Sequence, residues 1–477
     1  MKVCVLQPDY SSSAIDYGNY DPARDLSALL PQHSVHHVAL NKLTTYKQLK
    51  RLSREGYDIF VNLCEGYLDW DVPSIDVIYS LDLLNLPYTG PPAHLYDPSK
   101  ALMKYVAYTA DVRTPAHGLV RTVADAHDVA TRLQFPLFVK PSHAGDSLGI
   151  DAHSFVRDER ELVTQVSQLL DEYDELLVEE YIAGREFTVL VLGSTNEGAP
   201  ARALMPVEYQ FPEGTLYKTY ALKTSDLHPN ANVPVHDDAL RAQLQDAAQR
   251  VFVTFGGLGY ARMDFRLNAA GELFFLEVNF TCSVFYADGY EGSADHILRY
   301  DGIGQAGFAA WIIEEGIARH VRRQPSYRVQ GNGVSGYGIF ATHALREGDV
   351  VYRGEGRAHR IATQRHVYAE WSSDDQRAFR RYAYPLSAEV YALWDADPRA
   401  WSPQNHSCDP NTVYVGLNVV AVRAIAKGEE LTLDYGLMMN EQSEPFQCSC
   451  GAARCRGTVR GAAGNSVSAR EAAMRSE

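Results

Sequence analysis

The C-terminal region of the chain concentrates thiol groups at a spacing typical of a metal site. Four of the seven cysteines fall in one short region: Cys408 within NHSCDPN, and Cys448, Cys450 and Cys455 within a C-x-C-x4-C motif. Four thiolates match the ligand number and type of a closed tetrahedral zinc site, and this spacing favours zinc over a set of small buried cysteines. The sequence therefore predicts that Zn²⁺ orders this tail, with roughly 10 kcal/mol or more of folding free energy.

A second group of residues has the chemistry of a nucleotide and metal site. Lys140 stands at the end of an apolar run, before the small-residue loop HAGDSLG, where a lysine can meet phosphate oxygens. Asp264, Glu277 and Asn279 carry the oxygen ligands that Mg²⁺ prefers when it bridges phosphates. Glu277 and Asn279 are two residues apart in a strand-like segment, so their side chains face the same side. We expect these residues to share one site.

The order of these segments resembles the ATP-grasp superfamily, and most closely D-alanine:D-alanine ligase and its relatives. The resemblance includes NLCEG, LPYTG and EEYIAGRE and spans nearly all of residues 1–320. It implies an α/β ATP-grasp fold, ATP and Mg²⁺ as cofactors, and a reaction in which a phosphorylated carboxylate is attacked by an amine. Arg262 would stabilise the charge of an acyl phosphate or tetrahedral intermediate. The residues implied to bind ATP are Lys100, Lys140 and Lys223 for the phosphates, and Glu179, Ile182 and Glu186 for adenine and ribose.

Both amino-acid-binding segments depart from that family. QPDYSSSAIDYGNY replaces the glycine-rich, glutamate-containing substrate loop, and NFTCSVF replaces the segment that receives the second amino acid. Asp146 stands where the ligase usually has serine. The expected substrate is a small amino acid or peptide other than D-alanine. Taken singly, Glu65 reads as a solvated carboxylate and Cys282 as a small core thiol.

Three motifs after residue 326 resemble the SET methyltransferase family in their order: GYG, NHSC and LDYG. The resemblance covers about 326–460, makes the cysteine motif a post-SET segment, and implies S-adenosylmethionine as cofactor. Tyr435 would face the methyl transfer, with ordinary core packing as the alternative, and Tyr384 and Tyr391 could line the acceptor channel or belong to the core. The residues implied to bind the cofactor are Gly336, Tyr337, Gly338, Asn405 and His406.

The acceptor is constrained by its own chemistry. A lysine-like amine has a pKa of about 10.4, so it is mostly protonated at neutral pH. A neighbouring sulfonium and a desolvated channel both disfavour the ammonium form.

The elements that must position these groups follow from apolar periodicity. Strands are predicted at KVCVL, DIFVNLC, 137–140, 176–182, 187–192 and 273–280, and helices near 43–55, 157–172, 237–255 and 301–320. After Pro325 the pattern changes to short strands and glycine-rich turns, with a helical window at 374–394. We therefore predict an α/β ATP-grasp fold followed by a mostly-β SET domain with a zinc-bound tail. The predicted segments are 1–95 and 96–321 (ATP-grasp subdomains), 326–440 (SET), 441–460 (post-SET) and 461–477 (disordered).

Net charge and apolar content indicate which kinds of partner the protein binds. The net charge of −16 arises within residues 1–324, which disfavours nucleic-acid binding. The chain lacks an apolar run of 18 residues and a signal-like N-terminus, so we expect a cytoplasmic protein without membrane association. Ligases of this kind are often dimers, which allows a homodimer here.

Two enzymatic interpretations and one binding interpretation remain open. The first is a bifunctional carboxylate–amine ligase and N-methyltransferase whose halves share a substrate. The second is a protein-lysine methyltransferase whose acidic ATP-grasp half is a scaffold or recognises a basic protein. The third is a nucleotide-sensing module without catalysis.

Overall fold

The computed structural model describes residues 1–11, 21–66, 71–143, 149–196, 199–211, 231–332, 336–353, 359–385, 389–394, 404–439 and 445–461. The chain divides into two compact units, Met1–Arg322 and Arg323–Glu477. Within the described residues, no helix is both long and apolar enough to cross a membrane.

The first unit opens with a parallel sheet in the strand order β2-β1-β3. The strands β1 and β3 are apolar and buried over most of their length because both faces of the sheet are covered there, whereas β2 is largely exposed. Cys4, Leu6 and Phe60 pack against α1 and α2, while Val5 and Val61 pack against α8. These elements are β1 (Lys2–Pro8), β2 (Ser34–Leu40), α1 (Thr45–Leu52), β3 (Ile59–Asn62), α2 (Ile75–Leu83) and, at the end of the unit, α8 (Gly304–Arg323).

A second, antiparallel sheet has the order β4-β7-β5-β6. Alternate residues such as Val139 and Val178 pack beneath α4 and α5 in one apolar core. The intervening residues Lys140 and Glu179 therefore lie on the opposite face. The elements are α3 (Lys100–Thr109), β4 (His117–Val120), α4 (Val123–Arg132), β5 (Leu137–Pro141), β6 (Phe155–Val156), α5 (Glu159–Leu169) and β7 (Leu176–Glu180).

A third sheet has the order β11-β10-β8-β12-β13, with β9 paired to β8. Ala261, Met263 and Phe265 alternate along β12 and pack into the core that α6 covers. Alternation places the polar residues between them on the other face. The elements are β8 (Gly184–Leu192), β9 (Arg202–Ala203), β10 (Val207–Tyr209), β11 (Asn232–Pro234), α6 (Asp238–Thr254), β12 (Tyr260–Asn268), β13 (Leu273–Asn279) and α7 (Ser293–Asp301).

The second unit is built from short strands in several small sheets. Its strands are β14 (Tyr327–Asn332), β15 (Gly336–Ala341), β16 (Val350–Tyr352), β17 (His359–Thr363), β18 (Tyr384–Pro385), β19 (Val390–Trp394), β20 (Asn405–His406), β21 (Thr412–Val415), β22 (Asn418–Ala421), β23 (Thr432–Leu433), β24 (Phe446–Gln447) and β25 (Thr458–Val459). Its helices are α9 (Gln364–Glu370), α10 (Ser373–Tyr382) and α11 (Tyr435–Met438).

One predicted element of this unit is wrong in its second half. The helix expected over 374–394 ends at Tyr382, and the chain continues into β18 and β19. Pro385 lacks the N–H that a helix interior needs, and the apolar VYALW segment pairs along its length with β17. Tertiary pairing thus outweighs local helical periodicity here.

Candidate active sites

The predicted metal ligands meet on one face of the third sheet. In the β12–β13 register Asp264 lies opposite Glu277, and Arg262 lies opposite Asn279. Directly opposed residues of an antiparallel pair have neighbouring side chains on the same face. Arg262 Nη2 is 3.5 Å from Asp264 Oδ2, which places a guanidinium beside the carboxylates. The arrangement offers two carboxylates to a hard cation, with a positive charge next to them, while the Asn279 amide oxygen accepts a hydrogen bond from the Thr281 N–H at 2.8 Å.

Two of the predicted phosphate-binding lysines lie at the neighbouring sheet, Lys140 on β5 and Lys100 at the start of α3. Lys140 Nζ is 2.5 Å from Glu179 Oε1, and both side chains are buried. Burial disfavours the carboxylate of Glu179, but the charges of Lys104 and Lys140 outweigh it and lower its pKa to about 2. Lys100 begins α3, where its backbone N–H donates to Ser142 O at 3.0 Å. Burial lowers the pKa of Lys100 to about 8, although Glu277 opposes the shift, so these two predicted residues lie near each other.

Lys104 was missed by the sequence analysis. Its Nζ is 2.7 Å from Glu179 Oε2 and donates to Leu276 O at 3.0 Å. Burial lowers its pKa, although Glu179 opposes the shift. The available signal was the spacing of Lys100 and Lys104, which places both on one face of a helix.

Arg266 was also missed, and it contacts two residues expected to hold adenine and ribose. It lies opposite Glu186 in the β8–β12 register, and its Nη2 is 3.0 Å from Glu186 Oε2. Its Nη1 donates to Ile182 O at 2.9 Å, and its guanidinium stacks 4.8 Å from the centre of the Tyr181 ring. The period-two spacing of Arg262, Asp264 and Arg266 could have indicated a shared polar face.

A buried polar network lies at the carboxyl edge of the first sheet, where open α/β sheets bind ligands. Arg24 pairs with Glu65 at 3.1 Å and with Asp21 at 3.3 Å. Ser283 donates to Glu65 at 2.6 Å, and Tyr286 donates to Asp21 at 2.7 Å. The interpretation of Glu65 as a solvated carboxylate is therefore wrong: burial raises its pKa to about 7 despite Arg24.

Cys282, by contrast, is the buried core thiol that was expected. Lys223 and Asp146 lie outside the described residues.

The three SET motifs meet in the second unit. β20 pairs in parallel with β23, which brings the NHS and LDYG segments side by side. Asn405 Nδ2 donates to Tyr337 O at 3.0 Å and to Glu430 Oε1 at 2.7 Å. A Cβ on Gly338 would lie 2.1 Å from Glu430 Oε1, so a larger residue here would require the Glu430 side chain to move. Gly336 begins β15 with a φ of +88°, a conformation that favours glycine.

Tyr435 is hydrogen-bonded through both its side-chain hydroxyl and its backbone N–H. Its hydroxyl donates to Gln404 O, and its backbone N–H donates to Nδ1 of His406 at 3.0 Å. The rings of His406, Tyr435 and Phe446 have centroids 5.4 to 5.9 Å apart. The tyrosine predicted to face methyl transfer is thus half-buried, with its hydroxyl oriented by a backbone carbonyl. Tyr391 is buried against Phe379 in an apolar core, and the side chain of Tyr384 lies outside the described part.

The predicted cysteines also come together. The possible ligand atoms of His406, Cys408, Cys448 and Cys450 all lie within 4.8 Å of one another. Cys455 is beside this group, with its Sγ 3.9 Å from Cys448 O. Backbone N–H groups point at the sulfurs, including Cys408 N to Cys450 Sγ and Cys450 N to Cys448 Sγ, each at 3.4 Å. Such donors favour thiolates, the form that binds metal.

Comparison with known proteins agrees with both units. A family model described as "D-ala D-ala ligase C-terminus" matches residues 112–284, and a SET domain model matches 336–436. The D-alanine–D-alanine ligase of Bordetella petrii is 33% identical over 276 residues, covering 55% of this chain and 80% of that protein. The ligase of Bordetella pertussis is 33% identical over 288 residues, covering 57% and 86%.

Solved structures show the same fold for the first unit. The D-alanine–D-alanine ligase of Coxiella burnetii aligns with a TM-score of 0.51 at 18% identity, over 68% of this chain and 97% of that one. The Bacillus anthracis ligase complexed with ATP aligns with a TM-score of 0.50 at 19% identity, over 68% and 99%. The chain belongs to the D-alanine–D-alanine ligase family and joins an ATP-grasp ligase unit to a SET methyltransferase domain.

Proposed function

We propose that the first unit catalyses ATP-dependent formation of an amide from a carboxylate and an amine. The observation that carries this is the opposed pair of Asp264 and Glu277 beside Arg262, on one face of the sheet. The substrate carboxylate attacks the γ-phosphorus and ADP leaves. The amine nitrogen then attacks the acyl carbon, the bond from carbon to phosphate oxygen breaks, and the amine loses a proton.

The residues of this site act by positioning and by charge. Lys100, Lys140 and Lys223 would bind the phosphates, and Glu179, Ile182 and Glu186 would lie near adenine and ribose. Asp264, Glu277 and Asn279 would hold Mg²⁺, which neutralises developing phosphate charge. Arg262 is aimed at the same region and would stabilise the acyl phosphate or the tetrahedral intermediate.

The substrates we propose are an amino acid or peptide other than D-alanine. Support comes from the ion-pair network of Arg24, Asp21 and Glu65. Its carboxylates accept hydrogen bonds from Ser283 and Tyr286, which follow β13 in the chain. Ser283 belongs to NFTCSVF, which departs from the family, and the charged groups around it are largely buried. They would select a substrate by its polar groups, since a mismatch leaves buried charge without a partner.

The second unit is proposed to be an S-adenosylmethionine-dependent N-methyltransferase. Gly336, Tyr337, Gly338, Asn405 and His406 would bind the cofactor, which supplies an electrophilic methyl group. The neutral acceptor amine would take up that methyl group, with the cofactor sulfur as the leaving atom. Tyr435, whose hydroxyl is already oriented, would position the acceptor amine. The acceptor is either an amine of the ligation product or a lysine of a protein.

Zinc is the metal proposed for the cysteine group, with Cys455 as the fourth ligand. Nδ1 of His406 accepts from the Tyr435 N–H, so the neutral ring carries its proton on Nε2, which points at Cys408 Sγ at 3.3 Å. Metal bound at Nε2 would put a proton on Nδ1, where two N–H groups would oppose each other. His406 therefore donates to a thiolate, and Cys408, Cys448, Cys450 and Cys455 hold the ion. All seven cysteines are unpaired, which agrees with a reducing, cytoplasmic location.

The alternative is a protein-lysine methyltransferase whose first unit is a binding scaffold. The altered substrate segments favour this alternative, because a binding scaffold does not have to hold the ligase substrates for catalysis. A phosphate-release assay separates the two, using Mg·ATP with pools of amino acids and short peptides, and comparing wild type with Lys140→Ala. Release that depends on a pool member and disappears in the variant supports ligation. No release from any pool, with S-adenosylmethionine still bound, rejects the ligase and leaves the methyltransferase.

A further inference from the structure

Lys104 is a buried cation that has no role in the proposed binding of ATP or Mg²⁺. Its side chain is 1% exposed, and it lies on α3 one helical turn after Lys100. Burying an ammonium is unfavourable unless its partners compensate, and methionine or leucine would fill the same space without that cost. The reason for a charge here must lie in the groups that it contacts.

Those groups belong to the two strands that carry the nucleotide and metal residues. Lys104 Nζ is 2.7 Å from Glu179 Oε2 on β7, and it donates at 3.0 Å to the carbonyl of Leu276 on β13. Leu276 directly precedes Glu277. One ammonium therefore ties α3 both to the carboxylate that pairs with Lys140 and to the backbone beside a metal ligand.

The charges of Lys104, Glu179 and Lys140 indicate what this contact does. Glu179 binds one lysine with each oxygen, Lys104 on Oε2 and Lys140 on Oε1. With Lys140 as its sole partner, Glu179 would form a closed pair of zero net charge. Lys104 adds one positive charge beside this pair, so Lys140 keeps more positive potential for phosphate oxygens than it would with Glu179 alone.

We propose that Lys104 is a positioning residue of the ligase nucleotide site. It shares Glu179 so that Lys140 attracts phosphate, and it holds the β13 backbone so that Glu277 faces Asp264. It does so without touching the nucleotide. The inference rests on the proposed ATP-dependent function and adds a residue to it.

The test is Lys104→Met, which removes the charge and keeps most of the side-chain length. Calorimetry on the full chain would measure the Kd for Mg·ATP and for adenosine. Mg·ATP is expected to bind about tenfold more weakly, which corresponds to about 1.4 kcal/mol, with adenosine affinity unchanged. Loss of a residue with only a structural role would lower the affinities for Mg·ATP and for adenosine alike.

A matched control is Arg319→Met, which removes another buried cation of the same unit. Arg319 donates to the Gly90 and Tyr88 carbonyls, each at 2.7 Å, and pairs with Glu315 at 3.7 Å, and none of these is a predicted nucleotide residue. Both variants should unfold at lower temperature, and only Lys104→Met should lose Mg·ATP affinity. Equal affinity in Lys104→Met and wild type would overturn the proposal.

A Glu179→Gln background tests the charge argument and decides the case if Lys104→Met does not fold. With Glu179 neutral, the charge part of the loss disappears and only the part due to the β13 backbone contact remains, so Lys104→Met should then weaken Mg·ATP binding by about threefold at most. A tenfold loss in that background would contradict the proposal. Failure of the wild type to bind Mg·ATP would instead reject the proposed ligase function.

Discussion

Asp264 and Glu277 face each other across the β12–β13 ladder, with Arg262 and Asn279 as the next opposed pair on the same face. A strand pair that places two carboxylates and an amide together would be a rigid support for the proposed metal ion. Substitutions that keep the shape and remove the charge should therefore affect turnover more than folding.

Glu277→Gln and Asp264→Asn are expected to lower ATP-dependent phosphate release by roughly 100-fold, since each removes a charge that would hold Mg²⁺. Release would be measured over a range of Mg²⁺ concentrations, and the half-maximal concentration should rise. Glu272→Gln is the matched control, because Glu272 is a partly exposed carboxylate that pairs with Arg113. An unchanged Mg²⁺ dependence in both site variants would reject the assigned ligands.

Tyr435→Phe should slow methyl transfer by roughly 100-fold while S-adenosylmethionine binds as before, because the lost hydroxyl is expected to act on the acceptor. Transfer of labelled methyl groups and cofactor binding would be measured on the same preparation. Tyr414→Phe serves as control, since its hydroxyl contacts Tyr352 at 3.3 Å within the core. Equal transfer rates in Tyr435→Phe and wild type would leave Tyr435 with core packing alone.

Cys455→Ser should lose bound zinc, whereas His406→Ala should retain it and show weaker cofactor binding. The expectation follows from the Tyr435 N–H, which leaves His406 with its proton on Nε2. Zinc content per chain would be measured by elemental analysis, together with thermal unfolding before and after chelation. Loss of zinc in His406→Ala with retention in Cys455→Ser would reverse the assignment.

Gly338→Ala should abolish or strongly weaken S-adenosylmethionine binding, because the added Cβ would lie 2.1 Å from Glu430 Oε1 and 2.9 Å from Asn405 Nδ2. Gly331→Ala on the paired strand is the control, since its Cβ would meet nothing nearer than Gly336 O at 3.6 Å. Calorimetric titration of both variants with the cofactor would measure the difference. Wild-type affinity in Gly338→Ala would show that the crossing can relax.

Glu65 should make the first unit less stable as the pH rises. Burial raises its pKa from 4.5 to about 7 despite Arg24, so the folded state binds the proton more tightly than the unfolded chain does. Its contribution to the free energy of unfolding is therefore greatest below pH 4.5 and declines up to about pH 7.

Chemical denaturation of wild type and Glu65→Gln across that window would measure the effect. Wild type should lose stability relative to the variant as the pH rises, whatever the constant offset between them. Glu272→Gln should not show this trend, because hydrogen bonds from Asn268 and Arg113 lower the pKa of Glu272. Parallel curves for wild type and Glu65→Gln would contradict the prediction.

Much of both sites could be predicted from the sequence, because the relevant signals are local. The alternation of Glu277 and Asn279 follows from the strand period, and the cysteine spacing is the one expected for a tetrahedral metal site. Apolar periodicity likewise indicated the strands that end at Pro141 and Asn279 and the helix from Asp238 to Thr254. Each of these depends on residues that are close in the chain.

Other features were decided by tertiary structure alone. Lys104 and Glu179 are far apart in sequence, as are Arg24 and Val284. The side chains of Lys104, Glu179 and Arg24 become buried only after the sheets have packed. The strand β19 formed where helical periodicity predicted a helix, since a partner strand supplied hydrogen bonds that a helix would otherwise have made. The sequence by itself determined which chemical groups the chain has and their local spacing. Only the fold decided which of them share a desolvated site, because desolvation depends on contacts between distant segments.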